Sequence, residues 1–413
     1  MNPFNQQSKP VEENIKNWKE LYPKSYNKKK TSPFTKTRVI LMNGTEFESV
    51  WFLHQFARNC ADPDLKREIA LIRNQEQQQQ KRISCLKPID EVFLETTIGY
   101  EQLAIELTAI LAQGEKDPNN KAALDLALLE DFDHLYRFAN LLKKDYGIDA
   151  ETLVGKFTEI MPGRPTINEH RHPYDYIKRH INAKTADPFS KLVAGIITAA
   201  EQQTMNFYMN MAANYQNDLG RKLFAEIGMV EEMHVSQYES LKDPTCTWLE
   251  NWVMHEYTEC YLYYSVYQDE TDPYIKELWK EHFEMEVAHL KRAAALLEKY
   301  EKKSVKQVIP NPEFPPLLKF GSNIDYVRRV IADTVYMTSD RENYIDVRKL
   351  PKNADFFRFN STVNVAPENV ASHLVIKEAI KAFGEKDYRS QGAPHPIQEL
   401  DNRKKDNVDV GIR

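Results

Sequence analysis

Phe224, Ile227, Glu231, His234, Tyr238 and Leu241 fall at helical spacing and share one face of an amphipathic helix. Four of the six make it the inward, apolar face; the other two are a carboxylate and an imidazole. No bulk property constrains the fold as much. Burying an unpaired carboxylate costs several kcal/mol, so a chain that turns one inward must meet it with something.

The arrangement recurs. Glu201 stands thirty positions before Glu231. His289 has Glu286 three positions before it and Glu256 thirty before that; His134 has Asp131 and Glu101 in the same places. The pattern Glu-x29-[Asp/Glu]-x2-His thus appears three times, each time with a helix break near its middle. With 61 acidic residues and 11 histidines in 413 positions, chance gives about a quarter of one match.

Each repeat faces inward. Leu94, Ile98, Glu101, Ile105 and Thr108 align, as do Leu124, Leu128, Asp131, His134, Phe138 and Leu141. Val193, Ile197, Glu201, Thr204 and Tyr208 form a third stripe. Trp252, Glu256 and Tyr263, then Trp279, His282, Glu286, His289 and Ala293, form the last pair. Clustered inward carboxylates repel one another and need cations at their centre. Two divalent metals balance four carboxylates, and the i,i+3 spacing lets a carboxylate bridge two metals while the histidine caps one.

A lone Glu on one helix and Glu-x-x-His on the next, used twice, resembles the ligand set of the ferritin-like di-iron carboxylate superfamily. The spacing is similar to that of rubrerythrins and two-helix encapsulated ferritins. The resemblance covers roughly residues 89–302. It implies an all-α chain with a ferritin-like four-helix bundle, a long crossover and two iron ions, or manganese, or a mixed Fe/Mn pair. Asp131 departs from the family's Glu at that position, with Glu130 as a substitute.

Three half-sites exceed the two a bundle needs. His134 and Glu201 are 67 residues apart, enough for a crossover running the length of a bundle, whereas His234 and Glu256 are 22 apart. The expected metal ligands are therefore Glu101, Asp131, His134, Glu201, Glu231 and His234. Glu256, His282, Glu286 and His289 form a possible second or alternative site. This third hairpin has three readings: a decayed repeat, a donor of ligands to the main site, or half of a site completed by its own copy across a homodimer two-fold. His282 resembles the additional histidine of di-iron N-oxygenases.

Composition agrees with an all-α chain. Glycines number only 13, and no GxGxxG or GxxxxGK[ST] motif occurs. The net charge of −6 gives no drive toward nucleic acid or anionic membrane. Four separated cysteines without a CxxC exclude a rubredoxin-type site and suggest a reducing compartment. No apolar leader or span of ~18 residues occurs, so a soluble cytoplasmic protein without membrane association is expected.

Four segments follow. Residues 1–88 hold an extended Lys-rich arm (1–40) and two helices (45–60 and 63–84), the second carrying "NQEQQQQKR" as a solvated face. Residues 89–242 hold the di-metal bundle and 243–304 the third hairpin packed on it. Residues 305–413 hold two helices around an irregular section, then a disordered or weakly docked tail. The crossover histidines His170, His172 and His180 read as a polar loop. Tyr100, Tyr136, Tyr208, Tyr238, Tyr257 and Tyr263 read mainly as core aromatics.

The resemblance implies chemistry with O2 or peroxide: peroxide reduction, ferroxidation, catalase activity or oxygenation of a small organic molecule, with electrons from an external reductase. The other class of reading is an iron-sequestering protein or a non-catalytic helical scaffold.

Overall fold

A computed structural model of the chain describes residues 1–384 and 394–411. Among the described residues lie twelve α-helices: α1 (Pro33–Asn59), α2 (Pro63–Ser84), α3 (Phe93–Gly114), α4 (Pro118–Tyr146), α5 (Glu151–Val154), α6 (Pro188–Asn214), α7 (Asp218–Glu239), α8 (Trp248–Asp269), α9 (Pro273–Glu301), α10 (Ile324–Thr334), α11 (Asp355–Val363) and α12 (Ala371–Phe383). Strands β1 (Met337–Asp340) and β2 (Asn343–Asp346) pair antiparallel, Met337 opposite Asp346. The chain is mostly helical. None of the described helices is long and apolar enough to cross a membrane.

Asp-Pro pairs start several helices. Asp62 accepts from the Leu65 N–H, Asp117 from those of Asn119 and Asn120, and Asp272 from those of Tyr274 and Ile275. Asp187 accepts from the Phe189 N–H. In each pair the carboxylate satisfies orphan donors while proline fixes φ for the first helical residue. Gly147, at φ +69°, closes α4 in the left-handed conformation.

The helices form two compact units. The first comprises Met1–Glu91, His180–Ala200 and Lys242–Phe320; the second comprises Val92–Arg179, Glu201–Leu241 and Gly321–Arg413. Hairpin α1–α2 thus belongs with α8–α9, and α3–α4 belongs with α7 and the C-terminal half of α6. The hairpins nest in chain order, outer with outer and inner with inner. This division differs from the one expected of the sequence, which set residues 1–88 and 243–304 apart as separate segments.

In the second unit the core runs through Leu94, Ile98, Leu128, Phe138, Leu141, Tyr208, Phe224 and Ile227, all fully buried. The rings of Phe138 and Phe224 lie 4.8 Å apart. The first unit's core includes Leu53, Ile69, Ile72, Trp252, Trp279 and Leu290.

Three segments expected to be loose are ordered. Helix α1 begins at Pro33 rather than near residue 45, because the charged residues of its first turns are paired: Lys36 with Glu91, and Arg38 with Asp269 and Glu270. The arm before it is fixed to α2. Gln75 Nε2 donates to the Val11 carbonyl at 2.7 Å, and Gln78 exchanges hydrogen bonds with the Lys16 backbone. The glutamine tract is therefore not a solvated face; Gln75, Glu76 and Gln79 are fully buried. In the second unit the tail docks through Asp406, which pairs with buried Arg137, and through the Val410 carbonyl, which accepts from Asn168 at 2.8 Å. Strands β1 and β2 and helix α11 occupy the section expected to be irregular.

Candidate metal centre

All six residues expected to form the main site meet in the second unit. Glu101 comes from α3, Asp131 and His134 from α4, Glu201 from α6, and Glu231 and His234 from α7. None is more than 1% exposed. They form two overlapping groups, Glu101–Asp131–His134–Glu231 and Asp131–Glu201–Glu231–His234, each with its donor atoms within 4.8 Å of one another. Asp131 and Glu231 belong to both. His134 Nδ1 lies 3.0 Å from Glu231 Oε1 and 3.8 Å from Asp131 Oδ1. His234 Nδ1 lies 3.2, 3.6 and 3.9 Å from carboxylate oxygens of Glu231, Asp131 and Glu201.

The far side of each imidazole fixes its tautomer. His134 Nε2 meets Glu169 Oε2 at 3.0 Å, and His234 Nε2 meets Glu130 Oε2 at 2.8 Å. An ionised carboxylate only accepts, so each Nε2 carries a proton and donates it outward. Each Nδ1 faces a ring of carboxylate oxygens and is the nitrogen left to bind a metal once its proton is displaced. Such an arrangement of acceptors facing acceptors holds together only around protons or cations. Both oxygens of Asp131 and Glu201, one each of Glu101 and Glu231, and His134 Nδ1 have no hydrogen-bond partner. This donor set fits two divalent metal ions.

Glu130 does not replace Asp131. It orients His234, and its charge is matched by buried Arg164 at 3.0 Å and by Arg171. Arg164, Glu169 and Arg171 all come from the connection between α4 and α6. That connection lies tight on α4: a Cβ on Gly163 would stand 2.5 Å from the Asp133 Cβ. Tyr208 donates from its hydroxyl to Glu101, so it is part of the site and not only a core aromatic.

Electrostatics reflect crowding without water. Burial, with mutual repulsion, pushes Glu101 and Glu201 well above the ordinary carboxylate range, and Asp131 up to about 7. Burial works against charge on the two histidines, yet Glu169, Glu231 and Glu130 outweigh it and hold both imidazoles well above their usual value.

Of the second candidate set, Glu256, Glu286 and His289 converge in the first unit, and Glu76 joins them. None of the three readings of the third hairpin includes α1–α2. Its partner is α1–α2 of the same chain, joined through His289 Nδ1 and Glu76 at 2.9 Å and through Gln79, which donates to Glu286 and to Glu46. His282 is not among the clustered donors. Its Nε2 faces Arg82 at 3.0 Å and its Nδ1 faces the Tyr263 hydroxyl at 3.1 Å. Glu46, Glu76 and Gln79 repeat the thirty-and-three spacing with Gln in place of the histidine. The crossover histidines behave as a polar loop: His172 accepts from the Tyr174 N–H, and His180 meets the Ile181 carbonyl.

Comparison of the chain with protein-family models, curated proteins and solved structures finds no match.

Proposed function

We propose that the second unit is a ferritin-like, non-haem di-iron oxidoreductase that reduces O2 or peroxide. The observation carrying this reading is the pair of inward-facing Nδ1 atoms set among carboxylate oxygens that have no hydrogen-bond partner. Glu101, His134, Glu201 and His234 would hold the two ions from opposite sides, with Asp131 and Glu231 between them. Carboxylates with a minority of imidazole suit Fe2+ or Mn2+. Two ferrous ions held there supply two electrons to a small oxidant.

The chain's own residues do the rest. Glu130 and Glu169 keep Nε2 of each histidine protonated and the ring in place. Tyr208 occupies one oxygen of Glu101 and leaves the other free. Leu128, Phe138, Phe224 and Ile227 keep the cluster dry. The sealed site favours a diatomic oxidant or peroxide over a bulky organic substrate. A cleft of about 940 Å³ in the first unit, lined by Lys24, Tyr26, Lys28, Asp90 and Tyr274, includes none of the clustered residues. An external reductase would return the electrons.

The same seal supports a second reading, an iron-holding protein without turnover. Anaerobic loading with Fe2+ followed by O2 or peroxide separates them. The oxidoreductase consumes one peroxide per two ferrous ions, with oxidation much faster than for free Fe2+ in the same buffer. Binding of iron with oxidation no faster than in buffer supports the holding role.

A further inference from the structure

We infer that the first unit holds a second dinuclear metal centre, built on the same plan but with two chemically unequal positions, one capped by His289 and one whose clustered donors are all carboxylates. Glu46, Gln75, Glu76 and Gln79 each stand fifty-five positions before Glu101, Glu130, Asp131 and His134. Glu201, Tyr208, Glu231 and His234 stand the same distance before Glu256, Tyr263, Glu286 and His289. Functional contacts repeat with the positions. Tyr208 donates to Glu101 and Tyr263 to Glu46. Glu130 accepts from His234, and Gln75 faces His289 Nε2 at 2.8 Å.

Gln75 settles the protonation of His289. Its amide nitrogen donates to the Val11 carbonyl, so its oxygen faces the imidazole and accepts. Nε2 of His289 then carries the proton. Its Nδ1 faces the cluster, 2.9 Å from Glu76 and 3.2 Å from Glu286. Around it, both oxygens of Glu76 and of Glu259, and one each of Glu46 and Glu256, have no hydrogen-bond partner. The residues carrying these atoms are fully buried. A further observation is independent of the carboxylates: the Gln79 amide oxygen is also buried and unpartnered while its nitrogen is spent on Glu46 and Glu286.

The donors divide into two groups that share Glu76. Glu76, Glu256, Glu286 and His289 form one, and Glu46, Glu76 and Glu259 the other, with donor atoms inside 4.8 Å in each. The first matches a transition metal bound by one imidazole. The clustered donors of the second are carboxylates only, since Gln79 stands where the other centre has His134 and Glu259 adds a carboxylate where that centre has Thr204; the buried Nε2 of His255 stands 3.7 Å from Glu259. A carboxylate-dominated position favours hard cations, and Mn2+ suits both positions. The hydrogen bonds from Arg82 to His282, from His282 to Tyr263 and from Tyr263 to Glu46 fix one oxygen of Glu46 and leave the other facing the cluster.

The test is Mn2+ titration of the metal-free full-length chain, with bound ion counted by electron paramagnetic resonance and elemental analysis. Four ions per chain are expected in the wild type, and two in the double variant Glu231→Ala, His234→Ala. Glu76→Gln should lose two and His289→Ala one. Should the double variant bind as the wild type does while Glu76→Gln loses two, the reading of the second unit falls and this one stands. Folded Glu76→Gln that binds as many ions as the wild type overturns it, as does a wild type that binds only two ions and loses both in the double variant. Gln79→His provides a separate check: the added imidazole should tighten Zn2+ binding at the Glu46–Glu76–Glu259 position by at least tenfold, and unchanged affinity contradicts the assignment.

Discussion

Glu130 Oε2 stands 2.8 Å from Nε2 of His234, on the side of the ring away from the carboxylate cluster. The same carboxylate neutralises Arg164 and Arg171, so one side chain couples the orientation of a ligand to the docking of the crossover. Glu130→Ala leaves two guanidinium groups buried and uncompensated, a loss on the order of 3–5 kcal/mol. Glu130→Gln keeps an acceptor for His234 and removes charge only. It should cost less stability than Glu130→Ala, because its amide oxygen still accepts from the guanidinium groups, and weaken metal binding roughly 10–100-fold. Thermal denaturation and metal titration of the two variants check this.

Asp131 and Glu201 should show stability and binding moving in opposite directions. Both are fully buried and without hydrogen bonds, so in metal-free protein they cost stability through desolvation and repulsion. Asp131→Asn and Glu201→Gln should each raise the melting temperature of the metal-free chain and lower its ion content. A fall in melting temperature for both would show that the carboxylates are stabilised by something other than bound cations.

Glu106 predicts a pH dependence away from the cluster. Burial raises its carboxyl from the ordinary 4.5 to about 7, against hydrogen bonds from Asn323 and Thr158 that lower it. A raised folded value means that its contribution is fully present below 4.5 and is lost as pH rises toward 7. Glu106→Gln should therefore gain on the wild type by about 2–3 kcal/mol between pH 4.5 and pH 8. Denaturation at both pH values measures the gap; a gap that shrinks with rising pH contradicts the assignment.

Gly163 tests the crossover. A methyl group there meets the Cβ and Cα of Asp133 within 2.6 Å, and neither atom can swing aside. Gly163→Ala should lift the segment bearing Arg164 and Glu169, destabilise by about 1–3 kcal/mol and weaken metal binding through His134. Full metal affinity in this variant would show that Glu169 does not need the docked segment.

Much of this was legible in the sequence, for identifiable reasons. Helix starts were readable because Asp62, Asp117 and Asp272 each precede a proline and cap the turn that follows. The six residues of the second unit were readable because carboxylate and imidazole on an apolar face have few alternatives. Glu169 was not, since nothing local ties a crossover residue to His134 thirty-five positions earlier. The Glu46–Glu76–Gln79 half-site was hidden by its own surroundings: a run of glutamines reads as solvated unless the chain that covers it is known, and here the cover is the arm at Val11 and Lys16. The nesting of hairpins depends on contacts such as Gln79 to Glu286, which sequence separation alone argues against.

The most direct measurement is anomalous scattering at the iron edge from crystals of the iron-loaded chain. Two peaks in the second unit are predicted, flanking the shared pair Asp131 and Glu231, one within bonding reach of His134 Nδ1 and the other of His234 Nδ1. Density at Glu101, Asp131, Glu201 and Glu231 with no anomalous peak, in protein saturated with Fe2+, would contradict the account.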